Sequence, residues 1–154
     1  MLFLCTGNSA RSQMAEAILR RHAGDRFNVH SAGLIPQPIH PLALQVMEEA
    51  GYDLSRHTSK GVKEYLGMKN FAFVISVCPR AAQDCPRIFP NASNILSWPF
   101  DDPADPSILE AVALDKFRLV RDETQARITS WLEELADTQR LPLMPQKDDL
   151  TISR

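Results

Sequence analysis

Apolar residues fall in short, nearly unbroken runs that alternate with segments of helical periodicity. Residues 1–4 and 71–77 are such runs, typical of strands buried on both faces of a parallel sheet. After the first run, Met14 with Ile18 and Ala15 with Leu19 recur at i, i+4, which predicts a helix facing a sheet. The chain therefore begins with a strand, a tight loop and a helix.

The rest of the pattern continues this alternation. A second strand, a helix, a short helix and a fourth strand are predicted, in turn, at residues 28–33, 41–50, 62–66 and 95–98. Residues 79–94 contain three prolines and are predicted to be a loop rather than regular structure. A last long helix should begin near Ser107 and bury one face, formed by Phe117, Val120, Thr124, Ile128, Trp131 and Leu135.

Strands that alternate with helices imply right-handed crossovers and a parallel sheet. We predict an α/β fold, a three-layer α/β/α domain with a four-stranded parallel sheet. We expect one catalytic domain at residues 1–136. Residues 137–154, rich in proline and charge, form a C-terminal extension that lies on its own domain or on a neighbouring chain.

Composition limits the classes of partner. The chain has 154 residues, 44% of them hydrophobic, and a net charge of −2, so neither a nucleic acid nor a membrane surface is expected as a partner. No signal-peptide pattern begins the chain, and we expect a cytoplasmic protein. Three cysteines, an odd count, argue against a secreted disulfide scaffold and for reactive thiols.

The candidate chemistry is concentrated in residues 5–12, between the first strand and its helix. The N–H groups of this loop and the helix N-terminus favour a tetrahedral anion; the predicted oxyanion-binding residues are Thr6, Gly7, Asn8, Ser9, Ala10 and Arg11. Arg11 would add a planar fork of donors. The positive field should lower the pKa of Cys5 below its usual value of about 8.5, and Ser12 could donate a hydrogen bond to the thiolate. The alternative is that Cys5 is a small buried hydrophobe.

The segments CTGNS at 5–9 and RSQMAE at 11–16 resemble the low-molecular-weight tyrosine phosphatase superfamily, more closely its arsenate reductase branch. The resemblance covers roughly residues 1–135 and implies the same three-layer architecture. It also matches the superfamily's general acid, the Asp of an Asp-Pro pair, to Asp102. Tyrosine phosphatases usually place aromatic residues after that pair, whereas Ala104 and Asp105 follow here, which weakens the phosphatase interpretation.

Two further cysteines, Cys78 and Cys85, are separated by six residues. They could be zinc ligands, inert structural thiols or a redox pair. A zinc site would prefer closer spacing and a second Cys/His pair nearby, and closing so short a loop into a disulfide costs little entropy. Beside an activated Cys5 the redox pair is favoured, and it matches the arsenate reductase pattern that the resemblance implies.

The resemblance implies an enzyme that reduces arsenate through three thiols, Cys5, Cys78 and Cys85, with Arg11, Ser12 and Asp102 in the catalytic set. Its expected partners are an arsenate or phosphate oxyanion and thioredoxin, with glutaredoxin as another possible reductant. No cofactor and no metal are predicted. The alternatives are a phosphatase that forms a Cys5 phosphoenzyme, and a non-catalytic redox sensor or oxyanion-binding protein.

Some members of the superfamily bind potassium beside the loop, through residues that match Asn8, Glu16 and Ser31 and an acidic residue after a His-Thr-Ser motif. Here Lys60 follows that motif. Its ammonium could occupy the place of the cation. Alternatively, Lys60 is a solvated surface residue.

Overall fold

The computed structural model describes residues 1–67 and 70–138. Its elements, in chain order, are β1 (Leu2–Cys5), α1 (Arg11–Ala23), β2 (His30–Gly33), α2 (Pro41–Glu49), a 3₁₀ turn (Val62–Glu64), β3 (Phe73–Ser76), α3 (Pro79–Ile88), β4 (Asn94–Ser97) and α4 (Glu110–Asp137). The predicted C-terminal extension lies outside the described residues from 139 onward, so its boundary stays a prediction.

The four strands form one parallel sheet in the order β2-β1-β3-β4. The step from β1 to β2 goes toward one edge of the sheet, and the step from β3 to β4 goes toward the opposite edge. Right-handed crossovers therefore place α1 and α3 on opposite faces of the sheet. The predicted three-layer α/β/α fold is confirmed, and the carboxyl ends of β1 and β3 lie side by side, with Leu4 paired to Ser76.

Helix α4 covers the face of the sheet that carries α1, and it also packs against α2. All six residues predicted to form its apolar face are buried. The helix begins at Glu110 rather than near Ser107, because the Ser107 N–H donates to Asp105 Oδ1 at 2.8 Å and holds these residues in a turn. Among the helices of the described residues, none has the length and apolar character needed to cross a bilayer.

The prediction of a loop at residues 79–94 is wrong for its first ten residues, which form α3. Pro79 occupies the first helical position, where its missing N–H has no helical acceptor in any case. Ala81 and Cys85, four positions apart, are the buried residues of this helix. Pro86 lies inside its C-terminal half, where it removes one helical hydrogen bond.

Candidate active site

The loop between β1 and α1 directs its carbonyl groups outward. The carbonyls of Cys5, Thr6, Gly7 and Ser9 accept from backbone N–H groups of the 34–40 segment, at 2.8–3.1 Å. By contrast, the N–H groups of residues 7–12 have no acceptor within the described residues. A ring of free donors ahead of a helix N-terminus is suited to binding an oxyanion.

Gly33, at the end of β2, allows the loop to lie this close to the sheet. A Cβ at this position would stand 2.7 Å from the Asn8 nitrogen and 2.8 Å from the Gly7 carbonyl carbon, distances that side chains do not tolerate against backbone. Asn8 itself has a left-handed backbone, with φ of 49°, which Asn adopts more readily than most residues.

The Asn8 side chain ties the loop to three other segments. Its Nδ2 donates to Ser12 Oγ and to Ser31 Oγ, both at 2.9 Å. Its Oδ1 accepts from Gln13 Nε2 and from the Lys60 backbone N–H, both at 2.8 Å. All of its amide groups are therefore satisfied, and the loop shape is held from α1, β2 and the 57–60 segment.

A charged cluster under the loop centres on Glu16, which is almost fully buried. Ser31 Oγ donates to Glu16 Oε2 at 2.6 Å, and Arg20 Nη2 donates to Oε1 at 2.8 Å. The Lys60 ammonium lies 3.6 Å from Oε2, and its side chain is only 18% exposed. Lys60 is thus a partner of Glu16 rather than a freely solvated surface residue.

His57 completes this cluster as a neutral group. Its Nδ1 donates to Gln13 Oε1 at 3.0 Å. Burial lowers the pKa of His57, and the nearby Glu16 carboxylate offsets this only in part. Gln13 therefore links His57 to Asn8, and through Asn8 to the loop.

Cys5 and Cys78 meet at the base of the loop. Cys5 ends β1, and Cys78 lies two residues after β3, at the N-cap position of α3. The two thiols lie close enough for each to shift the pKa of the other, and both cysteines are buried and free. The Thr6 hydroxyl lies 3.3 Å from the Cys78 sulfur.

The proximity of Cys5 and Cys78 shifts the pKa values of the two thiols in opposite directions. The hydrogen bond with Cys5 lowers the pKa of Cys78 to about 5, with further help from Thr6, the Ala81 N–H and Arg11. The pKa of Cys5 is raised, first by Cys78 and then by burial, and Arg11 does not offset this. In this conformation Cys78 and burial outweigh the loop and Arg11, so the pKa of Cys5 is raised rather than lowered as expected.

Arg11 connects the loop to the segment that carries the predicted acid. The guanidinium is buried; its Nη1 donates to the Phe100 carbonyl at 3.1 Å, and its Nη2 lies 3.9 Å from Asp102 Oδ1. Asp102 remains half exposed, at 46%. The neighbouring Asp101 instead pairs with Lys116 at 2.9 Å on the surface. The structure thus brings Asp102, and not Asp101, to the arginine of the loop.

Two of the predicted catalytic residues, Ser12 and Cys85, do not make the contacts expected of them. Ser12 Oγ accepts from Asn8 and, within the described residues, makes no hydrogen bond with Cys5. Cys85 is fully buried in α3, seven positions after Cys78, which corresponds to about 10 Å along a helix. In the described ranges, no group of three or more His, Cys, Asp or Glu side chains is arranged to hold a metal ion.

Sequence reasoning missed the support provided by Gln13, His57, Gly33 and the Thr6 hydroxyl. Gln13 is fully buried on α1, and nothing in a sequence marks one polar helix residue as the bridge to a distant histidine. Gly33 carried a weak signal, since it ends a predicted strand. Its role in the structure is to leave space for the loop.

The comparisons with known proteins agree with this geometry. A family profile for low molecular weight phosphotyrosine protein phosphatases matches residues 1–141. An arsenate reductase of Bacillus licheniformis is 42% identical over 131 residues, which cover 85% of this chain and 93% of that protein. One from Bacillus subtilis is 38% identical over the same length, with the same two coverages.

A solved structure also matches, that of an arsenate reductase in the phosphate-binding state. It has a TM-score of 0.72 and 31% sequence identity, and the match covers 86% of this chain and 95% of that one. The resemblance inferred from residues 5–16 is therefore confirmed over most of the chain. Both the sequence match and the shared fold show that the chain belongs to the low molecular weight phosphotyrosine protein phosphatase family.

Proposed function

We propose that this protein is an arsenate reductase that works through a three-thiol relay. The observation that carries the proposal is a second buried thiol, Cys78, placed beside Cys5 and 3.3 Å from the Thr6 hydroxyl, at the base of a loop whose N–H groups are free. A phosphatase needs the first thiol and the loop, but it has no use for a second thiol in contact with the first. Relatives that bear the name arsenate reductase, at 38–42% identity, support the same conclusion.

The first step forms an adduct between Cys5 and arsenic(V). The loop N–H groups and the Arg11 guanidinium hold three oxygens of arsenate, in place of the Phe100 and Asp102 contacts that Arg11 makes here. Cys5 passes its proton to the Cys78 thiolate as its sulfur attacks arsenic. Asp102 protonates the departing oxygen, which leaves as water. Ser12, whose own proton is not committed to Asn8, can turn toward the Cys5 sulfur.

The second step is the reduction. Cys78, having lost its proton again, attacks the sulfur of Cys5; the sulfur–arsenic bond breaks, and arsenic leaves as arsenite with the bonding electron pair. The balance is one arsenate and two thiols giving one arsenite, one disulfide and one water. The Thr6 hydroxyl and the N-terminus of α3 stabilise the Cys78 thiolate for this attack.

In the third step Cys85 attacks Cys78, which releases the Cys5 thiol and leaves a Cys78–Cys85 disulfide. Disulfide-bonded cysteines have Cα atoms about 4.4–6.8 Å apart, whereas two turns of α3 separate this pair. The helix must therefore unwind, and unwinding brings the disulfide to the surface. We propose thioredoxin, or failing that glutaredoxin, as its reductant, and the reducing cytoplasm as the location.

The test is a coupled assay with arsenate, thioredoxin, thioredoxin reductase and NADPH. The wild type should oxidise NADPH in proportion to arsenate, and Cys5→Ser should be inactive, since a hydroxyl without a base is a poor nucleophile. Cys85→Ser should perform one turnover and stop as a Cys5–Cys78 disulfide. Sustained turnover by Cys85→Ser at the wild-type rate would rule out the relay.

Phosphate-ester hydrolysis is the second candidate, favoured by the family match and by the position of Asp102 near Arg11. Phosphate and arsenate are nearly isosteric, so a weak phosphatase activity is expected of the same loop. The Cys85→Ser variant separates the two functions: it should retain hydrolysis of an aryl phosphate and lose multiple turnovers of arsenate. An enzyme with efficient hydrolysis and no arsenate-dependent NADPH oxidation would move the phosphatase to first place.

A further inference from the structure

Ser76, the last residue of β3, has a side-chain hydroxyl whose hydrogen-bonding capacity is unused. The residue is fully buried. Its Oγ is the one buried side-chain oxygen or nitrogen without a hydrogen-bond partner in the part of the chain that the structure describes. An unsatisfied buried hydroxyl is costly, and alanine would remove that cost at nearly the same volume.

The thiol of Cys85, on α3, is a polar group close to this hydroxyl. Helix α3 packs over β3, and Cys85 is on its buried side. The Ser76 hydroxyl lowers the pKa of the Cys85 thiol, which indicates that the two groups are close neighbours. Ser76 Oγ makes no hydrogen bond by geometry in this state, and a neutral thiol is in any case a weak acceptor. A thiolate at the same place would be a strong acceptor.

We propose that Ser76 is a positioning residue for Cys85, whose hydroxyl donates a hydrogen bond to the Cys85 sulfur as that thiol ionises. This inference rests on the proposed thiol relay. It explains why a hydroxyl remains beneath α3 with no conventional partner in the reduced protein. Its acceptor is the charged form of Cys85, which exists only when the third step begins.

The chemistry of that step needs such a group. Cys85 loses its proton, its thiolate attacks the Cys78 sulfur, and the Cys5–Cys78 bond breaks. Cys5 leaves with the bonding pair and takes up a proton, so no net oxidation occurs. Burial raises the pKa of Cys85, and the Ser76 contact lowers it. The hydroxyl thus favours ionisation while Cys85 is still buried, before α3 opens and carries the sulfur to Cys78.

The first test reads the ionisation of Cys85 directly and requires no arsenate. Trypsin places each cysteine on its own peptide, with Cys5 on 1–11, Cys78 on 70–80 and Cys85 on 81–87. The rate of iodoacetamide labelling of peptide 81–87 is measured against pH in the reduced protein. Ser76→Ala should move the midpoint upward by about one pH unit, the effect of losing one charge-assisted hydrogen bond, and Ser76→Thr should restore it.

A role limited to packing predicts another outcome. Ser76→Ala would then change the labelling rate at every pH through the stability of α3, with the same midpoint, and this result would overturn the proposal. Ser76→Gly is a second variant without the hydroxyl, used if Ser76→Ala does not fold, as judged by its thermal transition. Because this readout uses no arsenate, it stands even if the chain does not reduce arsenate.

The second test follows the relay itself. After one arsenate turnover without reductant, the linked peptides 1–11/70–80 and 70–80/81–87 report the Cys5–Cys78 and Cys78–Cys85 disulfides. Ser76→Ala should slow conversion of the first into the second about tenfold at pH 7, and the difference should narrow once the pH exceeds the midpoint measured for the variant. Equal conversion rates at pH 7 in wild type and Ser76→Ala would refute the inference.

Discussion

Replacing Pro86 by alanine should stabilise the protein and yet slow arsenate turnover. Pro86 lies inside α3, one residue after Cys85. It has no N–H to donate to the Ala82 carbonyl, four positions earlier, so α3 is built with a missing hydrogen bond. The proposed relay requires this helix to open before Cys85 can reach Cys78. A residue that strengthens the helix therefore hinders the third step.

The magnitude follows from the helix itself. Seven positions separate Cys78 from Cys85, which is about 10 Å of helix rise, so at least one turn must unwind to bring the Cα atoms within about 7 Å. Proline in a helix interior costs about 3 kcal/mol relative to alanine. Because Pro86 is near the end of α3, we expect about 1–3 kcal/mol, which makes opening about 5- to 150-fold less frequent.

The assay is a rapid-quench single turnover with arsenate and no reductant. Free thiols are alkylated, and the two linked peptide pairs are quantified by mass spectrometry. In Pro86→Ala, the Cys5–Cys78 disulfide should accumulate and convert slowly to Cys78–Cys85. The matched control is Pro79→Ala in the same helix. Pro79 occupies the first helical position, where proline is tolerated, so this variant should convert at close to the wild-type rate.

Two results would refute this reasoning. The first is formation of the Cys78–Cys85 disulfide in Pro86→Ala at the wild-type rate, although a thermal melt shows a stabilised protein. It would mean that the exchange does not require α3 to open. The second is equal slowing in Pro79→Ala and Pro86→Ala, which would assign the effect to a general change in the segment rather than to the helical hydrogen bond.

Four other perturbations test the site. Arg11→Lys should lower kcat/KM at least tenfold, because lysine keeps the charge but loses the planar fork; near-normal kinetics would show that Arg11 does not hold the anion. Gly33→Ala should weaken phosphate binding in a titration, since its Cβ would lie 2.7 Å from the Asn8 nitrogen; unchanged affinity would contradict the role of this close approach. The low pKa of His57 means that the unfolded chain binds more protons below about pH 6.5, so the melting temperature should fall as pH drops from 7 to 5, and less so in His57→Gln. Potassium should not raise the melting temperature of the wild type, whereas Lys60→Asp, which removes the ammonium near Glu16, should make it potassium-dependent.

The fold was predictable because its strongest determinants are local and periodic. The run at residues 71–77 contains β3, and the spacing of Phe117, Val120 and Trp131 marks the buried face of α4. A buried strand or helix face must be apolar whatever it packs against, so its pattern can be recognised from the sequence alone. The prediction missed α3 because it relied on the number of prolines in residues 79–94 and not on the position of each one. Pro79 is well tolerated at the first position of α3, whereas Pro86 weakens the interior of the same helix.

The chemistry of the loop was only partly predictable, for a different reason. That Cys5 and Arg11 bracket an anion site follows from seven residues of sequence. The pKa of Cys5, however, depends on Cys78, which is 73 positions away in the chain and reaches the loop only because β3 pairs with β1. No local pattern specifies which of two thiols carries the charge. The same holds for His57, whose link to the loop runs through Gln13.

The position of Cys78 at the N-cap of α3 suggests how the order of the relay is enforced. While Cys78 is a thiolate, its charge and the dipole of α3 stabilise each other, by roughly 0.3–1 kcal/mol for such a pairing. This interaction keeps α3 helical and holds Cys85 two turns away, so Cys85 cannot interfere with the attack on Cys5. Once Cys78 enters the disulfide, its charge is gone and α3 loses that stabilisation. In the proposed relay, helix opening therefore becomes more frequent once Cys78 is held in the disulfide, at the step in which Cys85 is needed.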